Sequence, residues 1–240
     1  MKKNAWLTAD KVLVIGHRGA SADAPENTLA SFRLAREQGA DGIEFDVRLA
    51  ADGVPVVIHD PQLERTTNAV GAVSALSSSE LQKVDAGQGE PVPTLDAVFT
   101  EMGTDFIYNV EIKADPDRVQ VCVLAVLESI DRHQLRSQVC ISSFEHNIMQ
   151  QVQMLTPRQI VLGMLRAPHS PAHPDWFRGE AVHPHFMLVN ADYLAWARDL
   201  GCKVNTWTVD SAEVAQLLQQ LRVNSIMTNQ PAHIIAALAK

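Results

Sequence analysis

The chain has 240 residues, 46% of them hydrophobic and 20% charged, a globular balance that excludes a disordered chain. Its net charge of −8, with no Lys/Arg run longer than Lys2-Lys3, argues against nucleic acid or an anionic membrane as the main partner and leaves room for a locally bound small anion. Three widely spaced cysteines without a C-x-x-C pair read as buried free thiols. The start lacks the apolar stretch of a signal peptide and no run is long enough to span a bilayer, so a cytoplasmic protein is expected.

In chain order, the first strand is Val12 to Gly16. A helix runs from about Thr28 to Gln38 and stops at Gly39, and the next strand spans Asp41 to Leu49. Ala50-Ala51-Asp52-Gly53 is too short for a parallel crossover, and Asp-Gly is a hairpin signal. Val54 to Ile58 therefore runs back antiparallel and brings His59 near Glu44 and Asp46. Residues 61–93 are loop-rich and read as a small insertion of the same domain, folding over the barrel mouth. Further strands follow at Phe106 to Ile112, Gln138 to Ser142, Gln159 to Leu165, somewhere between Ala181 and Val189, Lys203 to Val209 and Ser225 to Thr228. Helices are predicted over 117–131, 145–155, 191–200, 211–221 and 232–239. With the hairpin arm set aside, eight parallel strands remain, which predicts a single α/β domain over 1–240, a TIM (β/α)8 barrel. A doubly wound open sheet is the competitor, but Gly16-His17-Arg18-Gly19 is not a G-x-G-x-x-G turn.

Catalytic groups of such barrels sit at the C-terminal ends of the strands. Here those ends carry His17-Arg18, Glu44 and Asp46, His59-Asp60, Glu111 and Lys113, and the region of Trp207. Residues two apart in a strand share a face, so Glu44 pairs with Asp46 and Glu111 with Lys113. Three carboxylates and two histidines on one mouth suit a hard divalent cation, Mg2+ or Ca2+, and leave Arg18 and Lys113 for an anionic substrate. The plain alternative is a set of structural ion pairs. Asn27 reads equally as an N-cap of the helix from Thr28, with Glu26 exposed. His169 and His173 have zinc spacing, but Pro168, Pro171 and Pro174 forbid the helix. His183-x-His185 resembles a metallohydrolase pair on a doubtful strand. Neither a G-x-S-x-G nor a Walker A sequence occurs.

Several motifs occur in order: Gly16-His17-Arg18-Gly19, Pro25-Glu26-Asn27-Thr28, Gly39 to Val47, Asp52-Gly53 and Val56 to Asp60. They continue with Thr66-Thr67 and Gly71, Pro93-Thr94-Leu95, Asn109 to Lys113, Ser143-Phe144 and Thr206 to Val209. Together they closely resemble the glycerophosphodiester phosphodiesterase family over nearly the whole chain. The resemblance implies a TIM barrel that hydrolyses glycerophosphodiesters to sn-glycerol 3-phosphate and an alcohol with Mg2+ or Ca2+. It implies His17 and His59 as the acid/base pair, and Glu44, Asp46 and Glu111 as metal ligands. Arg18 and Lys113 would contact phosphate, with Asn27 close by and Phe144 and Trp207 among the substrate contacts. The last strand departs from the family pattern: Asn229 stands where Asp is usual, and Asp210 where Asn is common. Two other readings stay open. One is a lysophospholipase D-type enzyme with an apolar mouth formed by Trp176, Phe177, Met187 and Leu188. The other is a non-catalytic phosphodiester binder.

Overall fold

The computed structural model describes residues 4–156, 159–170, 177 and 179–240. The sequence readings that touch Met1, Lys2, Lys3, Pro171, His173, Pro174 and Trp176 lie outside the described residues.

Eight parallel strands close into a barrel: β1 (Leu13–His17), β2 (Gly42–Leu49), β4 (Ile107–Ile112), β5 (Val139–Ser143), β6 (Val161–Arg166), β7 (Ala181–Pro184), β8 (Lys203–Thr206) and β9 (Ser225–Thr228). Closure is explicit, since β1 pairs with both β2 and β9. This settles the choice against the open doubly wound sheet. The arm β3 (Pro55–Val57) pairs antiparallel with β2, Val47 opposite Val57 and Leu49 opposite Pro55. Gly53 makes the turn at φ 80°, a conformation glycine adopts without Cβ strain. Pro55, which has no N–H to give a ladder, is tolerated because β3 is an edge. The strand expected somewhere between Ala181 and Val189 is found within that window, Ser225–Thr228 is as expected, and the strand expected over Lys203 to Val209 is shorter. Ala181–Pro184 gives way to a 3-10 turn at Phe186–Leu188, and Lys203–Thr206 stops before Trp207.

Helices α2 (Leu29–Glu37), α5 (Val119–Arg132), α6 (His146–Leu155), α7 (Ala191–Asp199), α8 (Ala212–Gln220) and α9 (Pro231–Leu238) follow the predicted pattern. Two helices outside the segment 61–93 were not read from the sequence. One is α1 (Ala5–Thr8), which buries Trp6. The other is α4 (Leu95–Met102), which is capped by Thr94 and completes the crossover from β2 to β4. Between them in sequence, the segment 61–93 carries the short helix α3 (Ser78–Leu81). It forms a small core of its own, in which Leu63, Val73, Leu81 and Val92 pack with Ala50, Val56 and Ile58 of the hairpin.

The barrel interior is graded. At the N-terminal end Leu13, Ile15, Ile107, Cys140, Val161 and Ala181 form an apolar plug sealed by Trp6, whose Nε1 donates to the Gln138 carbonyl at 3.0 Å. One step up lie Asn109, Ser142, His183 and Asn205, all buried. Above them, at the C-terminal ends, come His17, Glu44, Asp46 and Glu111. In β4 the period-2 alternation carries one face from Ile107 through Asn109 to Glu111.

Candidate active site

Register brings the predicted residues together. His17 lies opposite Glu44 across β1 and β2, and Asp46 lies opposite Glu111 across β2 and β4. The Ile58 amide donates to the Asp46 carbonyl at 3.0 Å, so the antiparallel pairing continues to the residue before His59. The turn thus delivers His59 beside the two carboxylates, as its Asp-Gly signal predicted. A cavity of about 90 Å³ opens here, lined by His17, Arg18, Glu44, His59, Asn109, Glu111, Lys113, Phe144, Leu165, Trp207 and Met227.

Glu44, Asp46 and Glu111 each offer an oxygen within 4.8 Å of the others, and all three are buried. Burial, reinforced by the Asp46 charge, pushes the Glu44 carboxyl up to about 8. Burial likewise pushes Glu111 up to about 7, against the pull of Lys113. Burial would raise Asp46 too, but Lys113 and Arg18 outweigh it and hold that carboxyl low. Buried carboxylates this close repel unless protons or a cation neutralise them. The all-oxygen donor set, and an Asp46 Oδ1 that accepts no hydrogen bond, fit a hard divalent cation. No other such His/Cys/Asp/Glu cluster is found among the described residues.

The cations are tied to this cluster. Arg18 sits at φ 55° in the tight turn after β1. Its amide donates to the Glu44 carbonyl at 2.9 Å and to Glu44 Oε2 at 3.1 Å, and its Nε lies 3.3 Å from Asp46 Oδ2. The turn needs Gly19, at φ 85°, because a Cβ there would sit 2.6 Å from the Ser31 backbone. Lys113 Nζ donates to Glu111 Oε1 and lies 3.4 Å from Asp46 Oδ1. The Glu111–Lys113 ion pair considered from sequence is therefore present, as part of the acidic cluster. Asn27 is not the helix cap. Thr28 is, accepting from the Ser31 amide at 3.3 Å. Asn27 is instead buried against Asp46, donating to its Oδ2 at 2.9 Å and accepting from its amide at 3.3 Å. Glu26 is half-buried rather than exposed.

Each histidine has its Nδ1 occupied. His59 Nδ1 meets Asp60 Oδ1 at 2.5 Å, and His17 Nδ1 meets Asn229 Oδ1 at 2.8 Å. The Asn229 amide can face only one way, because its Nδ2 donates to Asp210 Oδ2 at 2.6 Å. Its oxygen must then accept from His17 Nδ1–H, and from Ser21 Oγ at 2.8 Å. In the neutral rings this leaves the lone pair on Nε2, which for His17 points toward Glu44 Oε2 at 3.8 Å. Desolvation by burial holds both imidazoles below their usual pKa, with Arg18 adding to this at His17 and the Asp46 charge opposing it at His59. The two departures on the last strands thus touch each other, and Asn229 touches His17.

Phe144 and Trp207 stand edge to face, ring centres 5.6 Å apart, and Trp207 Nε1 donates to the His183 carbonyl at 2.7 Å. His183 is a core residue, its Nε2 3.0 Å from Asn205 Nδ2, and His185 Nδ1 accepts from the Met187 amide. Neither belongs to the acidic cluster. Among the described residues considered for an apolar mouth, Phe177 is buried in the core, Leu188 is half-buried and Met187 is exposed. Three residues that touch the catalytic groups, Glu26, Asp60 and Asn229, were given no role from sequence, and neither were Arg65 and Asp210 behind them. For Asp60 the adjacency to His59 was a usable signal.

Residues 17–233 match the sequence pattern of the glycerophosphoryl diester phosphodiesterase family. A glycerophosphodiester phosphodiesterase of Caldanaerobacter subterraneus subsp. tengcongensis is 34% identical, across 96% of this chain and 99% of its own length. The phosphodiesterase of Oleispira antarctica, solved with its product sn-glycerol-3-phosphate, superposes with a TM-score of 0.86. It is 28% identical, with 95% of this chain and 97% of that chain covered. The glycerophosphodiester phosphodiesterase of Thermotoga maritima gives 0.78 at 27% identity, covering 95% and 99%.

Proposed function

Since the chain belongs to the glycerophosphoryl diester phosphodiesterase family, we propose that it hydrolyses glycerophosphodiesters to sn-glycerol 3-phosphate and an alcohol, using Mg2+ or Ca2+ and the two histidines His17 and His59. The observation that carries this reading is the single cavity shared by His17, His59, Glu44 and Glu111. Glu44, Asp46 and Glu111 would hold the cation. When bound, it would supply positive charge against the phosphoryl oxygens. Arg18 and Lys113 face the same cavity and add their charge to the phosphate. Asn27 keeps Asp46 in place, and Phe144 with Trp207 forms the wall against which the glycerol packs. All 240 residues would serve as one domain, and the three free thiols suit a reducing cytoplasm.

One histidine takes the proton from the attacking hydroxyl as its oxygen bonds to phosphorus; water gives the monoester directly, whereas the glycerol 2-hydroxyl gives a cyclic phosphate first, which water then opens to sn-glycerol 3-phosphate. The other gives a proton to the leaving alkoxide as the second P–O bond breaks. Imidazole suits both tasks near neutral pH. An alkyl alkoxide needs that proton and a nitrophenolate does not. Removing the general acid should cost roughly 10²–10⁴-fold on glycerophosphocholine and far less on a nitrophenyl phosphodiester. Removing the base should cost similarly on both. Of His17→Ala and His59→Ala, one is therefore rescued by the activated substrate. Equal losses on both substrates for both variants would refute the division of labour.

A further inference from the structure

Arg65 lies outside the cavity, in the segment that follows the hairpin arm, yet its guanidinium touches both halves of the site. Nη1 and Nη2 donate to the two oxygens of Glu26 at 3.0 and 2.8 Å, and Nε donates to Asp60 Oδ2. Glu26 Oε1 also accepts from Arg18 Nη1 at 2.8 Å, and Asp60 Oδ1 meets His59 Nδ1. The result is one chain of charge-assisted bonds, Arg18–Glu26–Arg65–Asp60–His59. It joins the turn after β1 to the end of the hairpin arm.

Three features separate this link from an ordinary surface ion pair. The side chain is 47% exposed, and pairs at that exposure add little stability, so stability gives it no purpose. The contact with Glu26 uses both terminal nitrogens of the guanidinium while Nε reaches a second carboxylate, a planar fork that a lysine cannot reproduce. The backbone beneath it is fixed, since Leu63 is fully buried and its carbonyl accepts from both the Thr67 amide and Thr67 Oγ1.

We propose that Arg65 is a positioning residue for hydrolysis, holding the His59 imidazole through Asp60 and the Arg18 guanidinium through Glu26. The inference rests on the roles proposed above for His59 and Arg18. Without the fork, Asp60 is free to turn away from His59 Nδ1. Glu26 likewise loses the bond that keeps it against Arg18. Neither group leaves the site, but both lose the orientation that proton transfer and phosphate contact require.

The test uses the full chain, with glycerophosphocholine as substrate. Arg65→Ala should lower kcat roughly 10- to 100-fold, the cost of a small misplacement of reacting groups, with KM and melting temperature little changed. Millimolar ethylguanidinium should restore part of the loss, and ethylammonium should not. In a Glu26→Gln/Asp60→Asn background the same substitution should add almost nothing, because its two intermediaries are already gone. Should Arg65→Ala fail to fold, Arg65→Lys carries the test, with kcat reduced in a folded protein. Unimpaired kcat in the folded variant, or a loss that multiplies undiminished in the double background, overturns the proposal. So does a loss that tracks unfolding without guanidinium rescue. His59→Ala, assayed alongside, separates the two failures. Full activity there defeats the histidine assignment itself, whereas an inactive His59→Ala with an unimpaired Arg65→Ala defeats the role of Arg65 alone.

Discussion

Trp207 touches the site without a proton to give or take in the working pH range. Its ring closes one wall of the cavity against Phe144, and its indole N–H is spent on the His183 carbonyl. On the proposed function, its contribution would therefore be to binding in ground state and transition state alike. Trp207→Ala should raise KM several-fold and lower kcat less, and steady-state kinetics on glycerophosphocholine decide it. A fall confined to kcat would mean that the ring supports the catalytic geometry instead. At this scale the acids, the histidines and the cations were legible because each sits in a local motif at a strand end. Asn229, Asp210 and Arg65 were not. Asn229 is 212 positions from the histidine it holds, and Arg65 is 39 from Glu26, so no local spacing announces either contact. The swapped Asn229 and Asp210 were visible only as departures. In the structure they are one hydrogen-bonded pair behind His17.

The elements were legible to the degree that they are long or periodic. Strands showed as β-branched runs, the nine- to fourteen-residue helices as amphipathic stretches, and the hairpin by Asp52-Gly53. The arm's pairing, Arg48 opposite Val56, follows directly from that turn. Helix α1 has four residues, too few for a hydrophobic period to stand out, and α4, as long as the predicted α9, is masked by the proline-rich Pro91-Val92-Pro93 just before it. Yet α1 matters to the fold. Its Trp6 is 2% exposed and caps the apolar end of the barrel. Trp6→Ala should destabilise by about 3–5 kcal/mol in urea unfolding, the range for emptying a core aromatic site. Activity of the folded fraction should be kept, because the acidic layer lies at the other end. A loss under about 1 kcal/mol would show that the plug holds without the indole.

Taken whole, the molecule places an apolar plug at one end of a closed barrel and buried charge at the other. The net charge of −8 repels an anionic substrate at long range, so attraction must come from Arg18 and Lys113 at the mouth, or from a cation held by the three carboxylates. The barrel was legible from the count of parallel strands; the grading of its interior was not, because it depends on how the strands are staggered. Among the described residues, no helix is long and apolar enough to cross a membrane.

The central claim is that this chain needs a divalent cation to cut a glycerophosphodiester. Without one, Glu44 and Glu111 titrate near 8 and 7 and hold protons that an unfolded chain releases at about 4.3. Cation and protons compete for the same oxygens, so the cation needed for half-maximal rate should fall between pH 6 and pH 8. The most direct measurement follows glycerophosphocholine by phosphorus NMR, with protein stripped by chelator and then resupplied with Mg2+ or Ca2+. The account predicts that the phosphodiester signal persists in the stripped sample and gives way to the phosphomonoester of sn-glycerol 3-phosphate once cation is added. Full turnover in the stripped protein, or none with either cation, would contradict it.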